Sequence, residues 1–181
     1  MKEGYITLIP FGYFDAGLLE RILGDVEGEF SVPVRIRDGF LDLTEFYHTA
    51  RNQYDGNRLL TAINHSFGSE SEKTLGLFDV DLFIPILTFI FGQAFLNGRS
   101  GIVSIYRLKN EKYGMKPDAP LFLNRLRKEV IHELGHTFGL IHCLHPACVM
   151  RSATYVEDID QKDHRFCMRC RAAIENAESA R

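Results

Sequence analysis

The sequence has no apolar run long enough to cross a bilayer, and this absence argues against a helical membrane protein. The longest run, residues 82–91, contains Pro85 and is shorter than the roughly 20 residues that a transmembrane helix needs. The opening residues, M-K-E-G-Y-I-T-L-I-P, have too short an apolar run for a signal peptide and no small-residue cleavage site. We therefore expect a cytoplasmic protein with no membrane partner.

An excess of basic residues is also missing. The 21 lysines and arginines are outnumbered by 24 aspartates and glutamates, which gives a formal net charge of −3 at pH 7. Proteins that bind nucleic acid usually carry a basic patch or stripe, so the charge argues against a nucleic-acid partner. The hydrophobic content of 45% over 181 residues is ordinary for a globular protein with one core, and we expect a monomer.

Cysteine is absent before residue 143 and then occurs four times, at Cys143, Cys148, Cys167 and Cys170. Disulfides need an oxidising compartment, so without an export signal the binding of a metal by thiolates is the better interpretation. The spacing is C-x4-C, then 18 residues, then C-x-x-C, and two such pairs can close one tetrahedral site. We predict one structural zinc, with disulfides or free thiols as the alternatives.

The most informative motif is residues 132–142, H-E-L-G-H-T-F-G-L-I-H. His132 and His136 are four residues apart, so on a helix they share one face and can bind one metal ion. Gly139 can end that helix because glycine adopts the left-handed conformation without penalty, and His142 can then supply a third imidazole. Three neutral imidazoles with one open position describe a catalytic zinc site.

Glu133 follows the first histidine and is near enough to hold a water molecule on such a metal. Zinc lowers the pKa of its bound water, so Glu133 can take the proton, and the hydroxide can attack a carbonyl carbon. The same carboxyl group can then deliver the proton to a leaving amine. The alternative is an ordinary amphipathic helix with surface histidines, but the full string would arise in fewer than about 1 in 1,000 shuffled chains.

The pattern H-E-x-x-H-x-x-G-x-x-H resembles that of the metzincins, a clan of zinc peptidases. The cysteines that follow, with C-x-x-C at Cys167 and Cys170, resemble those of the archaemetzincins, and residues 132–170 carry this resemblance. The resemblance implies a metalloprotease that hydrolyses peptide bonds in a peptide or protein substrate, with Glu133 as its catalytic residue. Two other functions stay open: a zinc-bound peptide-binding or scaffold protein with little turnover, and a zinc amidase acting on non-peptide substrates.

The resemblance also suggests roles for residues after the motif. Met150 matches the methionine turn, in which a methionine forms an apolar floor beneath the catalytic metal. Tyr155 is a candidate for the tyrosine that stabilises the oxyanion in some metzincins, but its spacing differs from theirs, and a packing or surface role is the alternative. His145 is expected not to bind the metal.

We predict an α+β fold of the zincin type, with a twisted mixed sheet, helices that include a long zinc-binding helix, and a small zinc-stapled C-terminal subdomain. The domain division places residues 1–142 in an N-terminal subdomain and residues 143–181 in a C-terminal one. Strands are predicted at 5–11, 31–38, 73–85, 89–95 and 102–108, and helices at 15–23, 57–67, 118–140 and 163–175. By resemblance, 89–95 is the edge strand to which an extended substrate would add.

Overall fold

The computed structural model describes residues 4–179, which form two mixed β-sheets and five α-helices. The strands are β1 Tyr5–Pro10, β2 Val34–Ile36, β3 Tyr47–His48, β4 Gln53–Asp55, β5 Glu72–Phe78, β6 Leu82–Ile84, β7 Leu87–Ile90, β8 Gly92–Ala94 and β9 Ser100–Ser104. The helices are α1 Ala16–Phe30, α2 Gly56–Phe67, α3 Ala119–Thr137, α4 Val156–Gln161 and α5 Met168–Ser179. The predicted α+β class with a long histidine-bearing helix is confirmed.

The large sheet has the strand order β2-β1-β5-β9-β8, and only its edge strand β8 runs antiparallel to its neighbour. The second sheet has the order β3-β4-β6-β7. The single predicted strand at 73–85 is therefore wrong, because the chain leaves the large sheet after β5 and enters the second sheet at β6. Asp79 and Asp81 lie at this crossing, where they form ion pairs with Lys109 and Arg107.

Residues 89–95 were also predicted as one strand, and they too are divided between the sheets. β7 belongs to the second sheet, Phe91 follows it, and β8 forms the edge of the large sheet. The chain then turns at Asn97, which has a positive φ of 51°, and returns as β9. Both pieces of the predicted strand are edge strands, β7 of the second sheet and β8 of the large sheet, and the binding of a substrate to this edge stays a prediction.

Helix α1 begins where the sequence predicts, because the side chain of Asp15 accepts a hydrogen bond from the N–H of Leu18. It does not stop at Gly24 but continues to Phe30. The buried side chains of Val26 and Phe30 pack in the main core, and this packing outweighs the roughly 1 kcal/mol that a glycine costs inside a helix.

Helix α3 begins after Asp118, which caps it by accepting a hydrogen bond from the N–H of Leu121. Leu126, Val130 and Leu134 are completely buried and fix the face that packs on the large sheet. The helix ends at Thr137, three residues before the predicted end at 140.

The C-terminal part contains two helices, α4 and α5, where the sequence predicts one at 163–175. Its buried side chains, among them Val149, Met150, Ile159, Phe166 and Ile174, belong to the same core cluster as α1, β1 and α3. The division at residues 142 and 143 stays a prediction. Within residues 4–179, no helix combines the length and the apolar character that a membrane span requires.

Candidate metal centres and cleft

Three histidines converge at the end of helix α3. His132 and His136 lie one turn apart on the helix, and Gly139, with a φ of +94°, turns the chain so that His142 faces them. Their ligand nitrogens all lie within 4.8 Å of one another. The turn at Gly139 and the return of His142 are as the sequence predicts.

Backbone carbonyls fix the orientation of the two helical imidazoles. Nδ1 of His132 donates to the carbonyl of Val149 at 2.8 Å, and Nδ1 of His136 donates to that of Leu140 at 2.7 Å. In the neutral rings both lone pairs are then on Nε2, and these two atoms are 3.1 Å apart. Two lone pairs at this distance repel unless a cation lies between them, and tetrahedral zinc with bonds of about 2.0 Å separates its nitrogens by about 3.3 Å.

The electrostatics of the site keep the three histidines neutral, which is the form that binds metals. Burial lowers the pKa of His132 well below its usual value, and the nearby ammonium group of Lys162 lowers it further. Burial is also the main cause that lowers the pKa of His136 and His142. The residues therefore fit a zinc ion with three imidazole ligands.

Glu133 is 5% exposed and lies beside the histidines in the wall of a cleft. Burial raises its pKa well above the usual value, and the neighbouring carboxylate of Glu129 raises it further. A carboxylate with a raised pKa is a better acceptor for the proton of a water molecule. Its side chain touches the backbone of β8, since a methyl group on Gly92 would come within 2.7 Å of its Cγ and 2.9 Å of its Oε1.

A buried ion pair behind the histidines was not predicted from the sequence. Nζ of Lys162 lies 3.2 Å from Oε1 of Glu129 and donates to the carbonyl of Arg151 at 3.1 Å. Charge rather than a well-aligned hydrogen bond holds the pair. Both side chains are almost completely buried, and the same Nζ is 3.5 Å from Nδ1 of His132. The available signal was the spacing of Glu129, three residues before His132 and so on the same face of the helix.

The four cysteines form a second group, in which all sulfurs lie within 4.8 Å of one another. The sulfurs of Cys143 and Cys167 are 3.8 Å apart, which is far from the 2.05 Å of a disulfide but close to the roughly 3.8 Å between sulfurs on tetrahedral zinc. Burial alone would raise the pKa of Cys167, but the N–H of Cys170 and the neighbouring thiols lower it to about 7. Backbone N–H groups also donate to the sulfurs of Cys143 and Cys148.

Met150 lies directly against the histidine-bearing helix and is completely buried. A methyl group on Gly135 would come within 2.5 Å of its sulfur, so glycine at this interior position of α3 makes room for the methionine. The N–H of Cys143 donates to the carbonyl of Met150, which links this turn to the cysteine group. This arrangement is the one expected for the methionine turn, and the role itself stays a prediction.

A cleft of about 540 Å³ runs past the histidines. β8 lines one wall, and the segment 152–155 lines another, so Tyr155 faces the cleft with 63% of its surface exposed. Among the described residues, His145 is not part of the histidine group, and its N–H donates instead to the sulfur of Cys143.

Comparisons with known proteins agree with this geometry. The sequence model of peptidase family M54 matches residues 26–176. The archaemetzincin of Pyrococcus horikoshii is 36% identical over 161 residues, which cover 87% of this chain and 85% of that protein. The crystal structure of the Methanopyrus kandleri archaemetzincin is similar with a TM-score of 0.86 and 32% identity, over 98% of this chain and 97% of that one. A zinc-dependent peptidase from Methanocorpusculum labreanum has a TM-score of 0.83 at 30% identity, over 93% of this chain and 99% of that one.

Proposed function

The chain belongs to the archaemetzincin family, peptidase family M54, and from this premise we propose how its residues cleave a peptide bond. It is a zinc-dependent metallopeptidase, and peptides or proteins are its substrates. We propose His132, His136 and His142 as the ligands of the catalytic zinc. The observation that carries this assignment is the 3.1 Å separation of the Nε2 atoms of His132 and His136, which carry the lone pairs when each Nδ1 donates to a carbonyl.

A zinc ion held by His132, His136 and His142 would supply two effects, a lower pKa for a bound water molecule and polarisation of the scissile carbonyl group. Glu133 would act as the general base that removes a proton from the water, because its carboxyl group lies in the wall of the cleft beside the three histidines. The same carboxyl group donates the proton to the leaving amine. Strand β8 holds the substrate backbone beside Glu133 by edge pairing. Tyr155 lines the cleft and is a candidate for a contact with the developing oxyanion.

Cys143, Cys148, Cys167 and Cys170 are proposed to bind a second, structural zinc. Four thiolates fill a tetrahedral site completely, so this ion has no open position for a substrate. Met150 is proposed to support the histidine site from below, because it packs on Gly135 between His132 and His136. The monomeric state and the cytoplasmic location expected from the sequence remain predictions.

The replacement Glu133→Gln tests the mechanism. We expect peptide hydrolysis to fall by at least about 10²-fold, because general acid–base catalysis is lost, while both zinc ions stay bound. Hydrolysis of a peptide library and the zinc content of the purified protein are the measurements. Glu20→Gln, at an exposed position on α1, is the matched control and should leave both unchanged.

Three outcomes would contradict the proposal. Full activity of the Glu133→Gln protein would remove Glu133 from the mechanism. A wild-type protein that carries two zinc ions and binds peptides without cleaving them would be a binding protein. Cleavage of small acyl amides without cleavage of any peptide would identify an amidase.

A further inference from the structure

Large apolar side chains are exposed around the mouth of the cleft. Leu87, Leu96, Ile141 and Tyr155 all line it and are between 48% and 67% exposed. Contiguous exposed apolar surface around a concave site marks a place where another molecule binds, because it gains free energy by leaving water. These four residues come from four segments of the chain, which are β7, the turn after β8, the loop after α3 and the loop before α4, so their convergence is a property of the fold.

The interior of the cleft continues this apolar character. Phe89, Ile90 and Phe91 line its wall below the rim. Among the described residues that line the cleft, there is no lysine or arginine. The guanidinium group of Arg107 lies 4.2 Å from the ring of Phe89, but Asp81 binds it through two hydrogen bonds.

The acidic residues of the cleft are also committed to other partners. Glu129 is paired with Lys162, and Glu133 is the proposed general base. A charged substrate side chain of either sign would therefore lose its hydration without gaining an ionic partner in the wall, and this desolvation costs free energy. An apolar side chain has no such cost and gains the burial of its surface.

Binding of the substrate backbone does not discriminate between apolar and charged side chains. β8 is a short edge strand, and its residues Gly92, Gln93 and Ala94 all line the cleft. Pairing with an edge strand uses only main-chain groups, so it orders the substrate as an extended chain whatever its sequence. Selectivity is left to the side chains that project from that chain towards the walls and the rim.

We propose that the cleft selects extended peptide segments with large apolar side chains beside the scissile bond, and that it disfavours charged side chains there. This inference rests on the proposed function for the position of the scissile bond. The rim residues Leu87 and Leu96 are proposed as residues that determine specificity, together with Ile141 and Tyr155. The favoured substrates are therefore unfolded chains, because the apolar segments that a folded protein buries are accessible in them.

Matched peptides test the proposal, with leucine, glutamate or lysine placed in turn on each side of one cleavage site. We expect kcat/KM to be at least about tenfold higher for leucine than for either charged residue, the discrimination typical of an apolar pocket. Binding of the same labelled peptides to the zinc-loaded Glu133→Gln protein, measured by fluorescence anisotropy, should follow the same order. This second readout does not depend on catalysis.

The double variant Leu87→Ser, Leu96→Ser tests the rim itself. Both side chains are about half exposed, so their replacement should leave the fold intact while the preference for leucine falls several-fold. Phe40→Ser is the matched control, because Phe40 is 88% exposed and lies outside the cleft lining. It should keep the full preference.

The outcomes separate this inference from the proposed function. Cleavage of all peptides at equal rates, or a double variant with the wild-type preference, would overturn the inference and leave the peptidase in place. Apolar preference in binding with no cleavage by the wild type would support the inference and overturn the proposed function. Binding that favours charged peptides would overturn the inference directly.

Discussion

At the scale of single residues, the proposed position of Glu133 depends on the glycine at position 92, and no local sequence pattern reveals this. The backbone of Gly92 touches the side chain of Glu133, which lies 41 positions further along the chain. The histidine triad, by contrast, could be predicted from the sequence. Two of its members are placed by helix periodicity, and the third by a turn at Gly139, whose positive φ glycine adopts without the strain that other residues have there.

Gly92→Ala should therefore lower catalysis without unfolding the protein. The added methyl group would come within 2.7 Å of both the Cγ of Glu133 and the carbonyl oxygen of Ile102 on β9, so the side chain of Glu133, the strand pair or both would be displaced. A displacement of about 1 Å can cost up to 10²-fold in rate. We expect kcat to fall at least tenfold on that basis, with both zinc ions retained. Steady-state kinetics on a cleaved peptide and zinc analysis are the measurements.

The control for this change is Gly24→Ala, in the interior of α1. A methyl group there meets nothing within 4 Å, and the helix should become more stable by about 0.5–1 kcal/mol. Equal kinetics for Gly92→Ala and the wild type would show that Glu133 does not need this contact.

At the scale of elements, buried polar side chains on successive turns of helix α3 bind residues 159–162 of the C-terminal part. Arg125 binds Asp160 through two hydrogen bonds, Lys128 donates to the carbonyl of Ile159, and Glu129 pairs with Lys162. The sequence predicts the apolar face of α3 but not this polar one. A charged residue on a helix usually faces solvent. Only the fold shows that residues 151–162 cover Arg125, Lys128 and Glu129.

Breaking one partner of the Glu129–Lys162 pair should be costly. Lys162→Met leaves the buried carboxylate of Glu129 unpaired, and we expect the free energy of unfolding to fall by about 3–5 kcal/mol. The double variant Glu129→Gln, Lys162→Met removes both charges and should recover part of that loss. Urea unfolding of the wild type, both single variants and the double variant gives the coupling energy.

An exposed ion pair provides the comparison for this cycle. Arg58 and Glu45 are 3.9 Å apart with more than half of each side chain in solvent, so Glu45→Gln, which removes only the charge of the pair, should change stability by less than about 1 kcal/mol. Additive effects at Glu129 and Lys162 would show that the two charges do not interact.

The crossings between the sheets show why some strand boundaries could not be predicted. Residues 73–85 and 89–95 consist mainly of strong β formers. Asp79 and Asp81 in the first range and Gly92 in the second are depleted in strand interiors, but they do not specify a change of sheet. The first crossing is held by Arg107 and Lys109, which bind Asp81 and Asp79 from more than 25 positions away. Such long-range contacts override local β-propensity.

At the scale of the whole molecule, the cysteine group and the histidine group belong to one connected unit. His142 and Cys143 are consecutive, and Val149, which binds His132, follows Cys148. The last helix is also tied to the first, because Arg171 forms an ion pair with Glu29 of α1. The C-terminal part is therefore attached to the rest of the chain both at the histidine group and at α1.

Removal of one cysteine should affect both metal groups. For Cys148→Ser we expect loss of the structural zinc, a fall in unfolding free energy of more than about 4 kcal/mol, and weaker binding of the catalytic zinc. His142→Ala should lose only the catalytic zinc, because the cysteine group does not depend on that ring. Zinc content and thermal unfolding of both variants are the measurements.

Two results would contradict the expectation that the histidine group depends on the cysteine group but not the reverse. A Cys148→Ser protein that keeps wild-type affinity for the catalytic zinc would show that the two groups are independent. Equal zinc loss in the two variants would show that the dependence runs in both directions.

The adjacency of His142 and Cys143 has a consequence for how this chain can vary in length. A residue inserted between them would displace either the three histidines or the four cysteines from their present positions, because a single peptide bond joins the two groups at this point. Residues 144–147 are exposed, but the N–H of His145 donates to the sulfur of Cys143, and the carbonyl of Ala147 accepts a hydrogen bond from the N–H of Asp163. An insertion between the first two cysteines would therefore break contacts of the cysteine group, and loop length is constrained on both sides of Cys143.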